Sequence, residues 1–113
     1  MKNILLVDDH MLLRQAVKRA LVDAGFNVVA EAGDGEEGVN LVNDLSPEIV
    51  ILDITMPIMD GLTALKIIKK SKPDTKVIML TMHGESSVVS QAIALGASAF
   101  ITKDAPMSEV IDL

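Results

Sequence analysis

The sequence predicts an α/β fold, a mainly parallel sheet with helices on both faces, and three observations carry that expectation. Five short apolar runs alternate with helical patterns at a spacing of about twenty residues, which is the rhythm of βαβ units. The run Ile49 to Leu52 is too short for a confident helix and reads as a strand buried on both faces. Four runs end in polar residues, at Asp8-Asp9, Asp53, Thr81 and Lys103. A parallel sheet gathers all such ends on one edge, where open α/β sheets keep their sites.

Each element follows from its own residues. Ile4 to Val7 is the first apolar run. Met11, Leu12, Ala16, Val17, Ala20, Leu21 and Ala24 then recur at helical spacing, with Arg14, Lys18, Arg19 and Asp23 assigned mostly to the other face and Gly25 ending the helix. Asn27 to Ala32 is the next strand. Asp34 followed three residues later by Glu37 is a capping-box pattern opening a helix that stops before Ser46-Pro47. After Ile49 to Leu52 the chain reaches Asp53. Pro57 forbids simple continuation, and Asp60-Gly61 supplies a turn and the cap of a helix over Leu62 to Lys70. Val77 to Leu80 is a strand ending at Thr81, and Glu85 to Leu95 a helix closed by Gly96. Ala99 to Ile101 is a short strand ending at Thr102-Lys103, and Pro106 fits the first turn of a last, short helix.

Composition narrows the function classes. A chain of 113 residues, half of them hydrophobic, makes one domain with a real core. Phe26 and Phe100 are its only aromatics, so that core is aliphatic. A formal net charge of −6 argues against this segment gripping nucleic acid by itself. The absence of cysteine excludes a disulfide framework, a redox thiol and a thiolate metal site. Only four apolar residues separate Asn3 from Asp8, too few for a signal peptide or membrane span, so the expectation is a cytoplasmic protein with no membrane partner.

Four segments in this order, L-L-V-D-D-H, L-D-I-T-M-P-I-M-D-G, M-L-T-M-H and G-A-S-A-F-I-T-K, resemble the receiver domain of two-component response regulators over nearly the whole chain. The wording around D-D-H, L-T-M-H and F-I-T-K-D is most similar to the NarL/FixJ-type (LuxR-like) subfamily. The resemblance implies a flavodoxin-like (βα)5 doubly wound parallel sheet of order 2-1-3-4-5. It also implies that residues 1–113 are a receiver domain with a short or truncated last helix, the N-terminal fragment of a longer regulator carrying a helix-turn-helix output domain. DNA would be met only through that output domain.

The same resemblance assigns roles. Asp53 matches the phosphoacceptor, a carboxylate that accepts a phosphoryl group from a sensor histidine kinase. Asp8 and Asp9, with Asp53 and the backbone carbonyl of Thr55, match the ligands of Mg2+ (or Mn2+), a hard cation that relieves the repulsion of three carboxylates. Read from the residues alone, one of Asp8 and Asp9 could also cap the helix near Met11, a role compatible with the first, and Asp53 could instead be satisfied by loop amides. Lys103 matches the lysine that pairs with Asp53 and then with the phosphoryl oxygens, and Thr81 the hydroxyl that donates to them. Phe100 matches the switch aromatic, with a half-buried strand position as the plain alternative. Thr55, Met82 and His83 occupy positions that tune hydrolysis of the acyl phosphate. The implied function is a phosphorylation-activated switch that changes its Thr81/Phe100 face to control dimerisation and output. It is not a conventional enzyme, although it assists its own phosphotransfer and acyl-phosphate hydrolysis. The rivals are a degenerate receiver acting as a constitutive interaction module, and an aspartate-nucleophile phosphatase. The second lacks an acid, since Thr55 stands two residues after Asp53.

Overall fold

Each apolar run forms a strand, because β-branched and aliphatic residues fit a pleated surface covered on both sides. The computed structural model describes residues 2–81 and 86–102, with the side chains of Thr81 and Ser86 outside that description. Strands β1 (Asn3–Val7), β2 (Asn27–Ala32), β3 (Ile49–Leu52), β4 (Lys76–Thr81) and β5 (Ala99–Thr102) alternate with helices α1 (Met11–Asp23), α2 (Gly35–Leu45), α3 (Gly61–Ser71) and α4 (Ser86–Ala94). All four strand pairings are parallel. The sheet order is β2-β1-β3-β4-β5, the doubly wound arrangement expected. Glu85 and the helix expected from Pro106 lie outside the described residues.

Alternation along the strands splits the core in two. Leu5, Val7, Val50, Leu52, Val77 and Met79 face α2 and α3 through Val39, Val42, Ala64, Leu65 and Ile68. Ile4, Leu6, Ile49, Ile51, Ile78 and Leu80 face the other way onto Val17 and Leu21 of α1. Helix ends follow the expected chemistry. The Asp34 carboxylate accepts from Glu37 N–H at 2.8 Å, and that of Asp60 from Thr63 N–H at 2.8 Å. Gly25 and Gly96, beyond the ends of α1 and α4, carry φ of +95° and +105°, where an L side chain is strained.

The inward face of α1 differs from the expected one. Val17 and Leu21 are buried and Leu13 packs beside them, whereas Met11, Leu12 (89% exposed), Ala16 and Ala24 face outward. A stripe at 13, 17 and 21 puts Leu12 and Ala16 about 100° around the helix from it, out of reach of the sheet. The same rotation turns Arg14 and Lys18, assigned to the solvent face, toward Glu31 on β2.

The loop from β3 to α3 holds one strained residue. Met59 N–H donates to Pro57 C=O at 2.7 Å across Ile58, whose φ is +69°. This is the rare, positive-φ γ-turn, here centred on a β-branched side chain that is 77% exposed. Such strain costs about 1–3 kcal/mol, and the greater freedom that glycine loses on folding offsets only part of its relief. Ile58→Gly is therefore expected to stabilise the domain by about 1 kcal/mol, read as a raised urea midpoint in far-UV circular dichroism; a lowered midpoint would contradict the strain assignment.

Candidate functional site

Two neighbouring central strands deliver the two buried carboxylates. Val7 and Leu52 are register partners, so the residues that follow them emerge side by side. Asp8 N–H donates to Ala32 C=O at 3.0 Å and Asp53 N–H to Val7 C=O at 2.9 Å, which carries the ladder one residue past each strand. Asp8 is 1% exposed and Asp53 2%, so these are carboxylates at the sheet's rim taken largely out of water. Buried charges need partners, and each has a local one. Asp8 Oδ1 accepts from His10 N–H at 2.8 Å, and Asp53 Oδ1 from Ile54 N–H at 2.8 Å.

Asp9 and His10 complete the cluster from the exposed side. His10 Nδ1 lies 3.3 Å from Asp8 Oδ1, 3.4 Å from Asp9 Oδ1 and 3.9 Å from Asp53 Oδ2. Each of the four residues offers one ligand atom, and these atoms lie within 4.8 Å of one another. Three carboxylate oxygens converging so closely fit a hard divalent cation. The imidazole rests on carboxylate oxygens of the same cluster, with its side chain exposed.

The remaining expected residues divide. Thr55 is exposed in the loop two residues past Asp53. Phe100 is half-buried on β5, pairs in register with Met79, and packs against the core on the α2–α3 side. Thr81 ends β4 in register with Thr102. Met82, His83 and Lys103 lie outside the described residues. His10 was not among the sequence-derived site residues, although D-D-H placed it beside the acidic pair.

Behind the cluster lies an ion-pair network that spacing did not reveal. Arg14 Nε donates to Glu31 Oε1 at 3.1 Å, Gln15 Nε2 to the same oxygen at 2.8 Å, and Lys18 Nζ to Glu31 Oε2 at 2.9 Å. Arg14 Nη1 also donates to the carbonyl of Asp8 at 2.7 Å and, more weakly, to that of Ala32 at 3.4 Å. Burial alone would push the Glu31 carboxyl up. The hydrogen bond and charge of Lys18, with those of Arg14, outweigh it and hold the group below its ordinary value. A carboxyl depressed in the folded state contributes stability that is complete above the unfolded value, about 4.3, and is lost as pH falls through the folded one. Glu31→Gln is expected to cost about 1 kcal/mol at pH 7 and nothing at the acid end. Urea midpoints of the two proteins should converge as pH drops below about 4; parallel curves would refute the linkage.

Comparison with known proteins shows the family and the fold. The response regulator receiver domain family matches residues 4–113. The chemotaxis protein CheY of Bacillus subtilis is 44% identical over 109 residues, covering 96% of this chain and 91% of that protein. Among solved structures, the CheX–CheY–BeF3–Mg2+ complex from Borrelia burgdorferi superposes with a TM-score of 0.94 at 35% identity, over 97% of this chain and 84% of that one. A DNA-binding response regulator of the LuxR family from Staphylococcus aureus gives 0.94 at 28% identity, over 99% and 94%. Among the described residues no helix is long and apolar enough to cross a membrane.

Proposed function

The chain belongs to the family of response regulator receiver domains, signalling switches of two-component systems, and on that footing we propose that it takes a phosphoryl group on Asp53. The observation that carries the reading is the pair of buried carboxylates, Asp8 and Asp53, at adjacent strand ends with Asp9 and His10 closing over them. In the transfer, an Asp53 carboxylate oxygen forms a bond to phosphorus while the bond from phosphorus to the donor, a kinase phosphohistidine, breaks and its electron pair leaves with the imidazole. The product is an acyl phosphate. Asp53 Oδ1 accepts from Ile54 N–H, and Oδ2 lies on the His10 side of the cluster.

Asp8, Asp9, Asp53 and the Thr55 carbonyl would hold Mg2+, and the same oxygen set admits Mn2+. The cation supplies positive charge between the carboxylates and the phosphoryl oxygens. Lys103 and Thr81 would bind the phosphoryl oxygens, and Thr81 with Phe100 would carry the change to the α4–β5 face. Phenylalanine at position 100 has no hydroxyl, so its part in the switch is a packing event. Output would follow through dimerisation or through an attached DNA-binding domain in the cytoplasm. Thr55, Met82 and His83 would set the rate of hydrolysis. Met82→Ala is expected to shorten the lifetime of the phosphorylated form several-fold by admitting water; an unchanged decay of the adduct by mass spectrometry would remove that role.

The test of the whole reading is intact mass after incubation with acetyl phosphate, with and without Mg2+. One added phosphoryl group that requires the cation is expected. No adduct under either condition favours the constitutive interaction module. Steady release of phosphate from a free ester without a trapped adduct would instead favour the aspartate-nucleophile phosphatase.

A further inference from the structure

We propose that Arg14 is the positioning residue of this centre: anchored on Glu31, its guanidinium holds the Asp8 carbonyl and so sets the peptide that carries Asp8 and Asp9. This inference rests on the reading of the acidic cluster as a cation and phosphoryl site, and goes one step behind it.

The turn from Asp8 to Met11 is closed locally by the His10 N–H bond to Asp8 Oδ1 at 2.8 Å, which leaves the Asp8 carbonyl to the Arg14 side chain. His10 stands at the N-cap of α1 with no side-chain cap bond, and the first turn holds no acidic residue. Such a helix start is ordinarily locked by a Ser, Thr, Asp or Asn oxygen. Here Arg14 adds a tie from inside the helix. The Nη1–Asp8 carbonyl distance of 2.7 Å is that of a strong charge-assisted bond. The oxygen it holds belongs to the Asp8–Asp9 peptide, so fixing it limits rotation on both sides and thereby the directions of both carboxylates. Nη1 reaches Ala32 C=O as well, the acceptor that Asp8 N–H already uses, so one guanidinium nitrogen spans the ends of β1 and β2. Nε is occupied by Glu31, which orients the planar fork. Both Arg14 and Glu31 are largely buried, at 16% and 20% side-chain exposure, so this is not a solvated surface pair.

Charge and geometry make opposite predictions here, which allows a decision. A positive charge behind three carboxylates disfavours binding of a cation, so removing it should tighten the site. Loss of a group that orients ligand residues typically weakens metal affinity 10–100-fold. Lysine separates the two, since it keeps the charge and lacks the fork that can grip Glu31 and a carbonyl together.

The experiment is a Mg2+ titration of the amide resonances in the 113-residue chain, for the wild type, Arg14→Lys and Arg14→Met, with urea unfolding of each. Both variants are expected to bind Mg2+ about tenfold more weakly, and acetyl-phosphate labelling should recover at saturating Mg2+. Equal affinity for Arg14→Lys with tighter binding for Arg14→Met would show that only charge matters and overturn the proposal. Unchanged Mg2+ affinity in variants that are merely less stable would overturn it too, leaving a structural ion pair. Should neither Arg14 variant fold, Glu31→Gln carries the test. It keeps the guanidinium and takes the charge from its anchor, and a loss of about threefold in Mg2+ affinity is expected, none being the contrary result. A wild-type chain that neither binds Mg2+ nor takes an adduct sinks the reading of the centre, and this inference with it. A wild type that does both while the variants match it sinks this inference alone.

Discussion

Asp53→Asn is expected to abolish the phosphoryl adduct completely, with acetyl phosphate or any other donor. Asparagine has almost the same shape, and its Oδ1 can still accept from Ile54 N–H as the aspartate does at 2.8 Å. The loss is therefore chemical and not structural. An amide is a poor nucleophile, and the variant also withdraws one of the oxygens that converge within 4.8 Å of their neighbours. Removing one of three crowded negative charges relieves repulsion, so the metal-free variant should unfold at the same urea concentration as the wild type or higher. An adduct of wild-type yield on Asp53→Asn would place the acceptor elsewhere. A large drop in stability would show that Asp53 is needed for the fold itself.

Gly61→Ala is expected to cost about 3 kcal/mol and to disable the site as well. On propensity alone the change should help, since alanine is better than glycine inside a helix by about 1 kcal/mol. Packing reverses the sign. A Cβ on Gly61 would overlap the carbonyl oxygen of Asp53 and stand 2.7 Å from Ile54 Cα. Those are backbone atoms, which cannot turn aside as a flexible side chain can. Gly61 N–H also donates to Ile54 C=O at 2.7 Å, so helix and loop are already in contact. Pushing the helix away would move the peptide that holds Asp53 Oδ1. A urea midpoint equal to the wild type's, with normal adduct yield, would show that this contact gives way cheaply.

Most of the fold was legible because the strands are nearly unmixed apolar runs and the helices carry their own punctuation. Asp34, Asp60, Gly25 and Gly96 each sit where local chemistry alone places them. The buried carboxylates were legible for a related reason: a charge at the tip of an apolar strand has little ambiguity of position. The face of α1 was not. Met11 and Leu12 look like core residues by type, and only the pairing of Arg14 and Lys18 with Glu31, seventeen and thirteen positions apart, shows how the helix is turned. Ile58 was illegible because its residue type argues against the backbone it adopts. His10 needed the fold to show that its exposed ring lies against three carboxylates.

Strand β2 forms one rim of the sheet, and its outer row of backbone amides and carbonyls is a template on which a foreign strand could assemble. Glu31 lies one residue from the end of that strand with three side chains of α1 gathered on it. An invading strand would have to strip those paired charges of their remaining water. The network behind the acidic cluster thus also raises the cost of strand addition at this border.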